Sequence, residues 1–411
     1  MSGLRILFAG GGTGGHLYPA LNLANALCKT EPMVECFFLG ARRGIEARVL
    51  PGAGYNFRLL PMHPFYRERP WRNWKLAARI PSICSGVHRT FRDFNPELVV
   101  GTGGYVSGPA LGWARVSGCK VALQEQNAEP GLTTRLFAPY VDQIHLGYPE
   151  AERSLRVGKK TEVHTFGNPV AMDLSGSQID SAPSTKEPDF DWPLGKVLLV
   201  VGGSQGARGL NQKLLVDLEL MASNYKSESK PSLGLPSGRN RDLEMASALV
   251  ASQTRAWPDR CSIVWVTGQD HAEDIGERVR ALPWADRIQV APYIHDLGRQ
   301  LDRVTLALSR SGAMFVAELC GAGRPSVLVP YPAAAGAHQT ANARALADVG
   351  AAEVREEWDL APGELWNLCC ELLADESRLH RMSEAARERG APGASLDIAE
   401  TLLTLLDRNM G

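Results

Sequence analysis

The sequence has nearly balanced charge and no apolar run long enough to cross a membrane, and its first residues lack the pattern expected of a signal segment. Its 411 residues include 44 basic and 45 acidic side chains, a net charge of −1, so binding of nucleic acid through bulk charge is not expected. No apolar stretch approaches the roughly 18 residues that span a bilayer. The first residues become glycine-rich before the apolar core of a signal peptide could form. We therefore expect a protein made and kept in the cytosol.

Patterns that bind metals are also scarce. The eight cysteines form no C-x-x-C pair, and most lie in apolar stretches, where a thiol behaves as a small hydrophobic side chain. Asp189 and Asp191 form an Asp-x-Asp pair in a segment rich in Pro and Ser, whereas a working metal site needs rigidly held ligands. The sequence therefore predicts no metal site, no disulfide framework and no cofactor.

Short apolar runs alternate with helix-like patterns along the chain, which predicts an α/β fold with parallel sheets. Residues 173–195 interrupt this alternation and are interpreted as a linker between an N-terminal domain, 1–172, and a C-terminal domain, 196–411. The last helices, within 362–407, are candidates to pack back on the first domain. Residues 224–257 resemble a polar surface insertion. The apolar runs are residues 6–9, 36–39, 98–100, 121–123, 197–201, 263–266, 304–308 and 327–329.

Each predicted domain begins with the same local pattern of a strand, a glycine turn and a helix. Residues 4–9 lead into the glycines of 10–15, and residues 196–201 lead into Gly202, Gly203 and Gly206. Ligands of doubly wound sheets bind beyond the carboxyl ends of the strands. Two such domains facing each other would place both turns in one cleft, which favours an enzyme with two substrates.

The first turn contains G-x-G-x-x-G through Gly10, Gly12 and Gly15, a weak match to a dinucleotide fingerprint. No acidic residue ends the second predicted strand, where NAD enzymes bind the ribose; Arg42 and Arg43 follow instead. NAD is therefore disfavoured, while an NADP-dependent reductase stays open.

His16 follows this turn at the start of a helix and is a candidate general base, because histidine accepts protons near neutral pH. The alternative is a histidine that caps or packs its own helix. In the second half, Ser204 lies in a further anion-binding turn, whose alternative is a simple strand-to-helix connection.

Residues 309–318 carry the clearest phosphate signal. Ser311 and Gly312 predict a helix start whose free N–H groups would stabilise a diphosphate, and Glu318 could bind the two hydroxyls of a ribose. A capped helix with a surface glutamate is the alternative. The loop that follows residues 325–330 holds polar side chains suited to sugar hydroxyls or to capping a helix. They are His338, Gln339 and Asn342.

Residues 58–92 contain eight Lys or Arg against one acidic residue, interleaved with aromatic side chains. This combination is typical of a surface that rests on anionic lipid headgroups. A site for single-stranded nucleic acid could have the same combination of cationic and aromatic side chains. The simplest interpretation is a solvated helix face. The membrane-contact candidates are Arg67, Arg69, Trp71, Arg72, Trp74 and Lys75.

Six motifs in sequence order resemble those of the bacterial undecaprenyl-diphospho-muramoylpentapeptide N-acetylglucosaminyltransferases. The similarity runs from about residue 4 to residue 373. The motifs are residues 11–19 (GGTGGHLYP), 103–109 (GGYVSGP), 125–127 (EQN), 167–170 (GNPV), 202–207 (GGSQGA) and 309–313 (SRSGA).

The resemblance implies a GT-B fold, two facing Rossmann-like domains with a cleft between them. It implies inverting transfer of N-acetylglucosamine from UDP-N-acetylglucosamine to the undecaprenyl-linked muramoyl pentapeptide, at the cytoplasmic face of the cell membrane, with no nucleic acid partner. It also implies that His16 is the base. The residues implied to bind UDP-N-acetylglucosamine are Thr13, Gly14, Gly15, Asn127, Ser204, Ile294, Ala313, Met314, Phe315, Val316, Ala317, Glu318 and Gln339.

Two positions depart from the family pattern. Ala171 stands where the family commonly has an arginine, so a nucleotide contact is expected to be absent there or supplied elsewhere. Gln124 stands where the family has histidine. A sugar-nucleotide-binding protein without catalytic activity therefore remains an alternative beside the reductase.

Overall fold

The structure, a computed structural model, describes residues 3–63, 79–171, 190–202, 207–228 and 255–407. These residues form two compact units. The first comprises the described parts of Met1–Glu187 and Ala391–Gly411, and the second those of Pro188–Gly390. Each unit is an α/β domain around one parallel sheet, which confirms the predicted fold class. Within the described ranges, no helix combines the length and apolarity that a membrane crossing requires.

The sheet of the first unit has the strand order β3-β2-β1-β4-β5-β6-β7, with all neighbours parallel. Its central strands are buried along almost their whole length, as expected of a sheet covered on both faces. The strands are β1 (Arg5–Gly10), β2 (Glu35–Ala41), β3 (Asn56–Leu60), β4 (Leu98–Gly103), β5 (Lys120–Glu125), β6 (Gln143–Leu146) and β7 (Glu162–His164).

The last helix of the chain belongs to this first unit. Ile398 and Leu402 of that helix lie in one buried cluster with Leu17 and Leu23 of the first helix, so apolar burial joins the two ends of the chain. The helices of the unit are α1 (Gly14–Thr30), α2 (Glu46–Val49), α3 (Ile80–Phe94), α4 (Ser107–Ser117), α5 (Leu132–Phe137) and α12 (Ala394–Asp407).

The second unit repeats the architecture, with the strand order β10-β9-β8-β11-β12-β13 and all neighbours parallel. Its strands are β8 (Lys196–Val201), β9 (Cys261–Val266), β10 (Ile288–Ala291), β11 (Leu306–Ser309), β12 (Ser326–Leu328) and β13 (Ala352–Val354). Its helices are α6 (Arg208–Glu228), α7 (Ala272–Arg280), α8 (Ala313–Gly321), α9 (His338–Ala347), α10 (Glu364–Ala374) and α11 (Glu376–Arg389).

Both sheets contain a topological switch point, where the order of successive strands reverses. In the first sheet it lies between β1 and β4, and in the second between β8 and β11. Connections leave such neighbouring strands in opposite directions, so a crevice opens beyond their carboxyl ends. Each unit therefore has one edge at which a ligand site is expected.

The end of the predicted linker and the start of the predicted insertion pack as parts of the second unit. Of the linker 173–195, residues up to 189 lie outside the described residues, but Phe190 and Trp192 pack on the second unit, and Trp192 Nε1 donates to Gln300 Oε1 over 2.8 Å. At the start of the predicted insertion 224–257, α6 continues to Glu228, and residues 229–254 lie outside the described residues.

His145, on β6, is a fully buried histidine stacked on other aromatic rings. Its ring stacks on His164 with centroids 5.5 Å apart, and Phe166 lies at 6.1 Å. Neither ring nitrogen of His145 has a hydrogen-bond partner within the described part of the chain. Burial, with a smaller contribution from His164, lowers the pKa of His145 from 6.5 to about 3. The folded first unit therefore holds this ring in its neutral form.

This burial predicts a specific loss of stability in acid. Below pH 6.5 the unfolded chain protonates His145, while the folded chain does so only near pH 3, so stability present above pH 6.5 is lost as the pH falls. Between pH 7 and 5 this group should lower the free energy of unfolding by about 2 kcal/mol. Urea titrations of the wild type and of His145→Phe at both pH values measure the difference. His380→Phe, which changes an exposed histidine, should leave the pH dependence unchanged; an equal effect of both variants would contradict the assignment.

Candidate active site

The turn after β1 exposes the start of α1. The backbone at Gly11 and Gly12 has φ values of +153° and +88°, which favour glycine. Thr13 occupies the N-cap in an extended conformation, makes no side-chain cap hydrogen bond and is exposed, as is Gly15. The first N–H groups of a helix have no acceptor within the helix and lie at its positive end. This turn is therefore suited to an anionic ligand.

His16 lies in the first turn of α1, where two oxygen acceptors surround one of its ring nitrogens. Its Nδ1 is 3.1 Å from the carbonyl oxygen of Thr102, at the end of β4, and 3.1 Å from Gln126 Oε1. Gln126 Nε2 donates to the carbonyl oxygens of Thr102 and Gln124 over 2.8 and 3.1 Å, so its Oε1 is the atom directed at His16. Since both partners only accept, Nδ1 carries the proton and the lone pair is on Nε2.

Glycines after β4 make this contact sterically feasible. A Cβ atom at Gly103 would lie 2.8 Å from His16 Nδ1, and one at Gly104 would lie 2.3 Å from the carbonyl oxygen of Gly11. Both glycines have positive φ values, +99° and +77°. The turns after β1 and β4 can therefore meet at the switch point only because side chains are absent there.

Asn127 follows β5 in a loop that Glu125 holds together. Glu125 is 2% exposed, and its Oε1 accepts both the backbone N–H and the side-chain amide of Asn127 over 3.1 Å. Its Oε2 accepts from Gly131 N over 3.0 Å and from the Thr134 hydroxyl over 2.5 Å. Asn127 is thus held by its amide nitrogen atoms at the same edge as His16.

Gln124, where the family has histidine, belongs to the buried support of this edge. Its Nε2 donates to Asn168 Oδ1 over 3.2 Å, and Asn168 Nδ2 donates to the carbonyl oxygen of Gln126 over 2.9 Å. The substitution therefore keeps a hydrogen-bonded polar side chain beneath Gln126. At the other departure, Ala171 offers no polar side-chain atom.

In the second unit, α8 begins directly after β11, beside the switch point. Gly312 is its N-cap, with an extended backbone at φ −66° and ψ 128°. The amide of Val316 already donates to the carbonyl oxygen of Gly312 over 3.0 Å. Among the residues 313–318, the N–H groups of Ala313, Met314 and Phe315 have no acceptor within the helix. They are therefore the groups that can donate hydrogen bonds to a diphosphate. Ala317 and Glu318 follow within the helix.

Polar side chains around this helix start are directed into the protein. Arg310 is 6% exposed; it donates to the carbonyl oxygens of Val329 and Pro330, each over 3.1 Å, and forms an ion pair with Glu357. The Arg310 guanidinium thus braces a neighbouring loop and does not extend the anion site.

Ser311 and Asn342, two candidates from the sequence, also brace this loop. The Ser311 hydroxyl donates to the carbonyl oxygen of Gln339 over 2.8 Å and does not cap α8. Asn342 is fully buried, and its Nδ2 donates to the carbonyl oxygen of Ser311 over 3.1 Å. Gln339 Oε1 accepts the N–H of Tyr331 over 2.9 Å. These contacts fix the loop that carries Gln339.

Glu318 has the one strongly shifted carboxyl group of this edge within the described residues. Burial raises its pKa from 4.5 to about 7, and a Cβ at Gly298 would lie 3.2 Å from its carboxyl carbon. Ile294 lies nearby, with its side chain buried in a cluster that also contains Phe315. Its neighbours Tyr293 and His295 are exposed.

Several sequence candidates fall outside the described residues, namely Ser204, Asp189 and the membrane-contact candidates Arg67, Arg69, Trp71, Arg72, Trp74 and Lys75. In the described ranges, no group of three His, Cys, Asp or Glu side chains is placed to hold a metal ion. An apolar cavity of about 310 Å³ lies at the start of α3. Its walls are Met62, His63, Ile80, Ile83, Cys84, Tyr105 and Pro109.

Sequence reasoning did not identify four residues that organise these edges. Thr102 and Gln126 hold His16, Arg310 braces the second unit's loop, and Glu46 accepts the N–H of Gly12 over 2.9 Å. The first three lie at or next to the end of a strand, which is a usable signal. Glu46 lies five residues beyond β2, so its position in the sequence gave no indication of this role.

Comparisons with known proteins agree with this architecture. Residues 6–146 match the glycosyltransferase family 28 N-terminal domain, and residues 197–398 match its C-terminal domain. Two relatives, from Chlorobaculum parvum and Moorella thermoacetica, carry the name UDP-N-acetylglucosamine--N-acetylmuramyl-(pentapeptide) pyrophosphoryl-undecaprenol N-acetylglucosamine transferase. They are 37% and 35% identical to this chain, each over 98% of it and over 99% and 100% of their own lengths.

Solved structures show the same fold. The crystal structure of Acinetobacter baumannii MurG is similar with a TM-score of 0.67 and 25% identity, over 98% of this chain and 99% of that one. The calicheamicin glycosyltransferase CalG4 is similar with a TM-score of 0.61 and 16% identity, over 99% and 100%. The chain therefore has the GT-B fold, and it belongs to the family 28 glycosyltransferases, among the UDP-N-acetylglucosamine--N-acetylmuramyl-(pentapeptide) pyrophosphoryl-undecaprenol N-acetylglucosamine transferases.

Proposed function

We propose that this enzyme transfers N-acetylglucosamine from UDP-N-acetylglucosamine to the 4-hydroxyl of the undecaprenyl-linked muramoyl pentapeptide, with inversion at the anomeric carbon. Membership of the family supports the reaction and both substrates. The observation that carries the mechanism is the position of His16 Nδ1 between two oxygen acceptors, Thr102 O and Gln126 Oε1. A base accepts a proton on a lone pair, and with the proton on Nδ1 that lone pair is on Nε2.

His16 acts on the acceptor. Its Nε2 takes the proton of the 4-hydroxyl while the hydroxyl oxygen forms a bond to the anomeric carbon. The bond between that carbon and the diphosphate oxygen breaks, and UDP leaves with the bonding electron pair. Because a sugar hydroxyl is a weak acid, removing its proton during attack lowers the barrier, typically by a factor of 10² to 10⁴ in rate.

The N-terminus of α8 stabilises the negative charge that develops on UDP as it leaves. The N–H groups of Ala313, Met314 and Phe315 donate to the diphosphate, and fixed amides of this kind stabilise charge without reorganisation. The Glu318 carboxylate accepts from the ribose hydroxyls, the backbone at Ile294 contacts the uracil, and Gln339 contacts the transferred sugar. No metal ion is needed in this arrangement.

The turn of the first unit supplies further contacts to diphosphate groups. Thr13, Gly14 and Gly15 form the start of α1, which attracts anions, and Asn127 lies at the same sheet edge. Ser204 of the second glycine turn contacts the donor phosphate.

The enzyme works at a membrane surface. The proposed acceptor carries an undecaprenyl chain, which is anchored in a membrane. Within the cationic segment 58–92, the candidates Arg67, Arg69, Trp71, Arg72, Trp74 and Lys75 rest on anionic headgroups at the cytoplasmic face of the membrane. The apolar cavity at the start of α3 is lined by residues on either side of these candidates in the chain, among them His63 and Ile80.

The NADP-dependent reductase is disfavoured by the contacts of the first glycine turn. In a dinucleotide-binding turn the second glycine lets the backbone approach the pyrophosphate, but here the N–H of Gly12 donates to the buried Glu46. A binding protein without activity is distinguished from the enzyme by the transfer assay.

Replacing His16 tests both the reaction and the base. We expect the wild type to transfer radiolabelled N-acetylglucosamine to the lipid-linked muramoyl pentapeptide and His16→Ala to lower kcat by a factor of roughly 10² to 10⁴. Gln126→Leu, which removes the acceptor oxygen at similar volume, should lower kcat about tenfold with the KM for UDP-N-acetylglucosamine little changed. His380→Ala changes an exposed histidine and serves as the control. Full activity of His16→Ala would exclude this residue as the base.

The raised pKa of Glu318 predicts that donor affinity depends on pH. Only the carboxylate accepts from both ribose hydroxyls, and with a pKa of about 7 the ionised fraction grows about tenfold between pH 6 and pH 8. The donor itself does not titrate in this range. Calorimetry with UDP-N-acetylglucosamine should therefore show affinity rising with pH by up to that factor. Glu318→Gln should bind more weakly and without this dependence; a persisting pH dependence in Glu318→Gln would assign it to another group.

Sedimentation with phosphatidylglycerol vesicles tests the membrane surface. Replacing Arg67, Arg69 and Arg72 by alanine should weaken binding about 100-fold, at roughly 1 kcal/mol for each cation near the surface. Replacing Arg153, Arg156 and Lys159, which are exposed elsewhere in the first unit, makes the same change in net charge. Equal losses in both triple variants would show that net charge, and not this segment, drives binding.

A further inference from the structure

Glu46 is a fully buried carboxylate directly beneath the first glycine turn. It begins the short helix α2 and is 0% exposed. Its Oε1 accepts the N–H of Gly12 over 2.9 Å and the N–H of Ala41, the last residue of β2, over 3.2 Å. One carboxylate oxygen thus joins the turn after β1 to the end of the neighbouring strand.

Three glycines leave the space that this side chain occupies. A Cβ atom at Gly11 would lie 1.8 Å from Glu46 Oε1, one at Gly44 would lie 1.8 Å from Oε2, and one at Gly40 would lie 2.9 Å from its Cβ. These distances are far below van der Waals contact. The backbone on three sides is therefore shaped around the carboxylate.

Stability alone does not explain a carboxylate at this position. Within the described residues Glu46 has no salt bridge, and its Oε2 has no hydrogen-bond partner. Burial of a carboxylate with one unsatisfied oxygen is unfavourable, and an apolar side chain of similar volume would avoid that penalty. What the carboxylate adds is a strong, charge-assisted acceptor for the N–H of Gly12.

This acceptor determines which atoms of the turn point outward. The N–H of Gly12 is directed into the protein, and on its other side a Cβ at Gly12 would lie 2.7 Å from Tyr105 Cε1. Gly12, with φ +88°, is thus held from both sides. The next residues are the exposed Thr13 and the start of α1, which carries His16.

We infer that Glu46 is a positioning residue for the transfer: by holding the N–H of Gly12 from beneath, it fixes the turn that presents the anion-binding start of α1 and sets the place of His16. Glu46 contacts no substrate. The inference rests on the proposed function, since it assigns Glu46 to the same reaction. A displacement of about 1 Å at a reacting group lowers rates by up to 10², so loss of this contact should be visible in kcat.

Four variants test the inference in the full chain. Glu46→Ala removes the acceptor. Gly44→Ala keeps the carboxylate but displaces it, and the backbone at Gly44 is not left-handed, so alanine introduces no other strain. Glu46→Gln retains an acceptor oxygen. Glu97→Ala is the matched control, because Glu97 Oε2 accepts the N–H of Arg5 over 2.9 Å at the opposite end of β1.

Two measurements are made on each variant, namely hydrogen exchange of the peptide that spans residues 9–17 and the kinetics of N-acetylglucosamine transfer. We expect Glu46→Ala and Gly44→Ala to exchange faster in this peptide and to lose 10- to 100-fold in kcat. Their affinity for UDP should change less than their kcat, because most of the proposed nucleotide contacts, at α8, Glu318 and Ile294, are in the second unit. Glu46→Gln should recover most of the protection and the rate, and Glu97→Ala should match the wild type in both.

The inference is overturned if Glu46→Ala retains full kcat, or if Glu97→Ala loses as much activity, since that would indicate general destabilisation. It is also overturned if exchange at residues 9–17 is unchanged in both Glu46→Ala and Gly44→Ala. Absence of transfer by the wild type would refute the proposed function instead. In that case the exchange data would still report whether Glu46 holds the turn.

Discussion

Direct contact between the glycine turns after β1 and β4 is the constraint on which the first unit's site depends. A Cβ atom at Gly104 would reach the carbonyl oxygen of Gly11, and one at Gly103 would reach His16 Nδ1. Any side chain there would separate the turns and move the carbonyl oxygen of Thr102 out of reach of His16. Because β1 and β4 are neighbours at the switch point, the backbone itself supplies an acceptor for Nδ1. The tautomer of His16 with the proton on Nδ1 is therefore set by a backbone carbonyl and an amide oxygen.

The second unit has the same topology but offers different chemistry at its switch point. There the end of β11 leads into α8, and the amides at the start of this helix are the groups available to an anion. The nearby cation, Arg310, donates to two carbonyl oxygens and forms an ion pair with Glu357. An anion would thus be met by fixed dipoles and not by a mobile charge. Fixed dipoles suit a leaving group whose charge grows during the reaction.

The sequence predicts the strands, the parallel sheets and the two strand-turn-helix units well, because buried parallel strands are read directly from apolar runs between glycines. Edge strands such as β3 and β7 are short and only half buried, so their pattern is weak. Contacts between distant segments could not be predicted either. The sequence names the last helices as candidates to pack on the first domain, but it does not identify α1 as the partner of α12. The hydrogen bond from Asn342 to Ser311 O removes a polar candidate from the surface, and only the tertiary structure determines which polar side chains turn inward.

Glu46 and Glu125 hold the loops at the edge of the first unit that carries His16. Both carboxylates are buried, and both accept from backbone N–H groups of the loops that follow strands: Gly12 and Ala41 for Glu46, Asn127 and Gly131 for Glu125. Loops cannot satisfy these amides by pairing as strands do, and a buried amide without an acceptor destabilises the fold. A carboxylate can accept from several amides at once, so each one fixes a whole loop. The loops that carry His16 and Asn127 are therefore held from within.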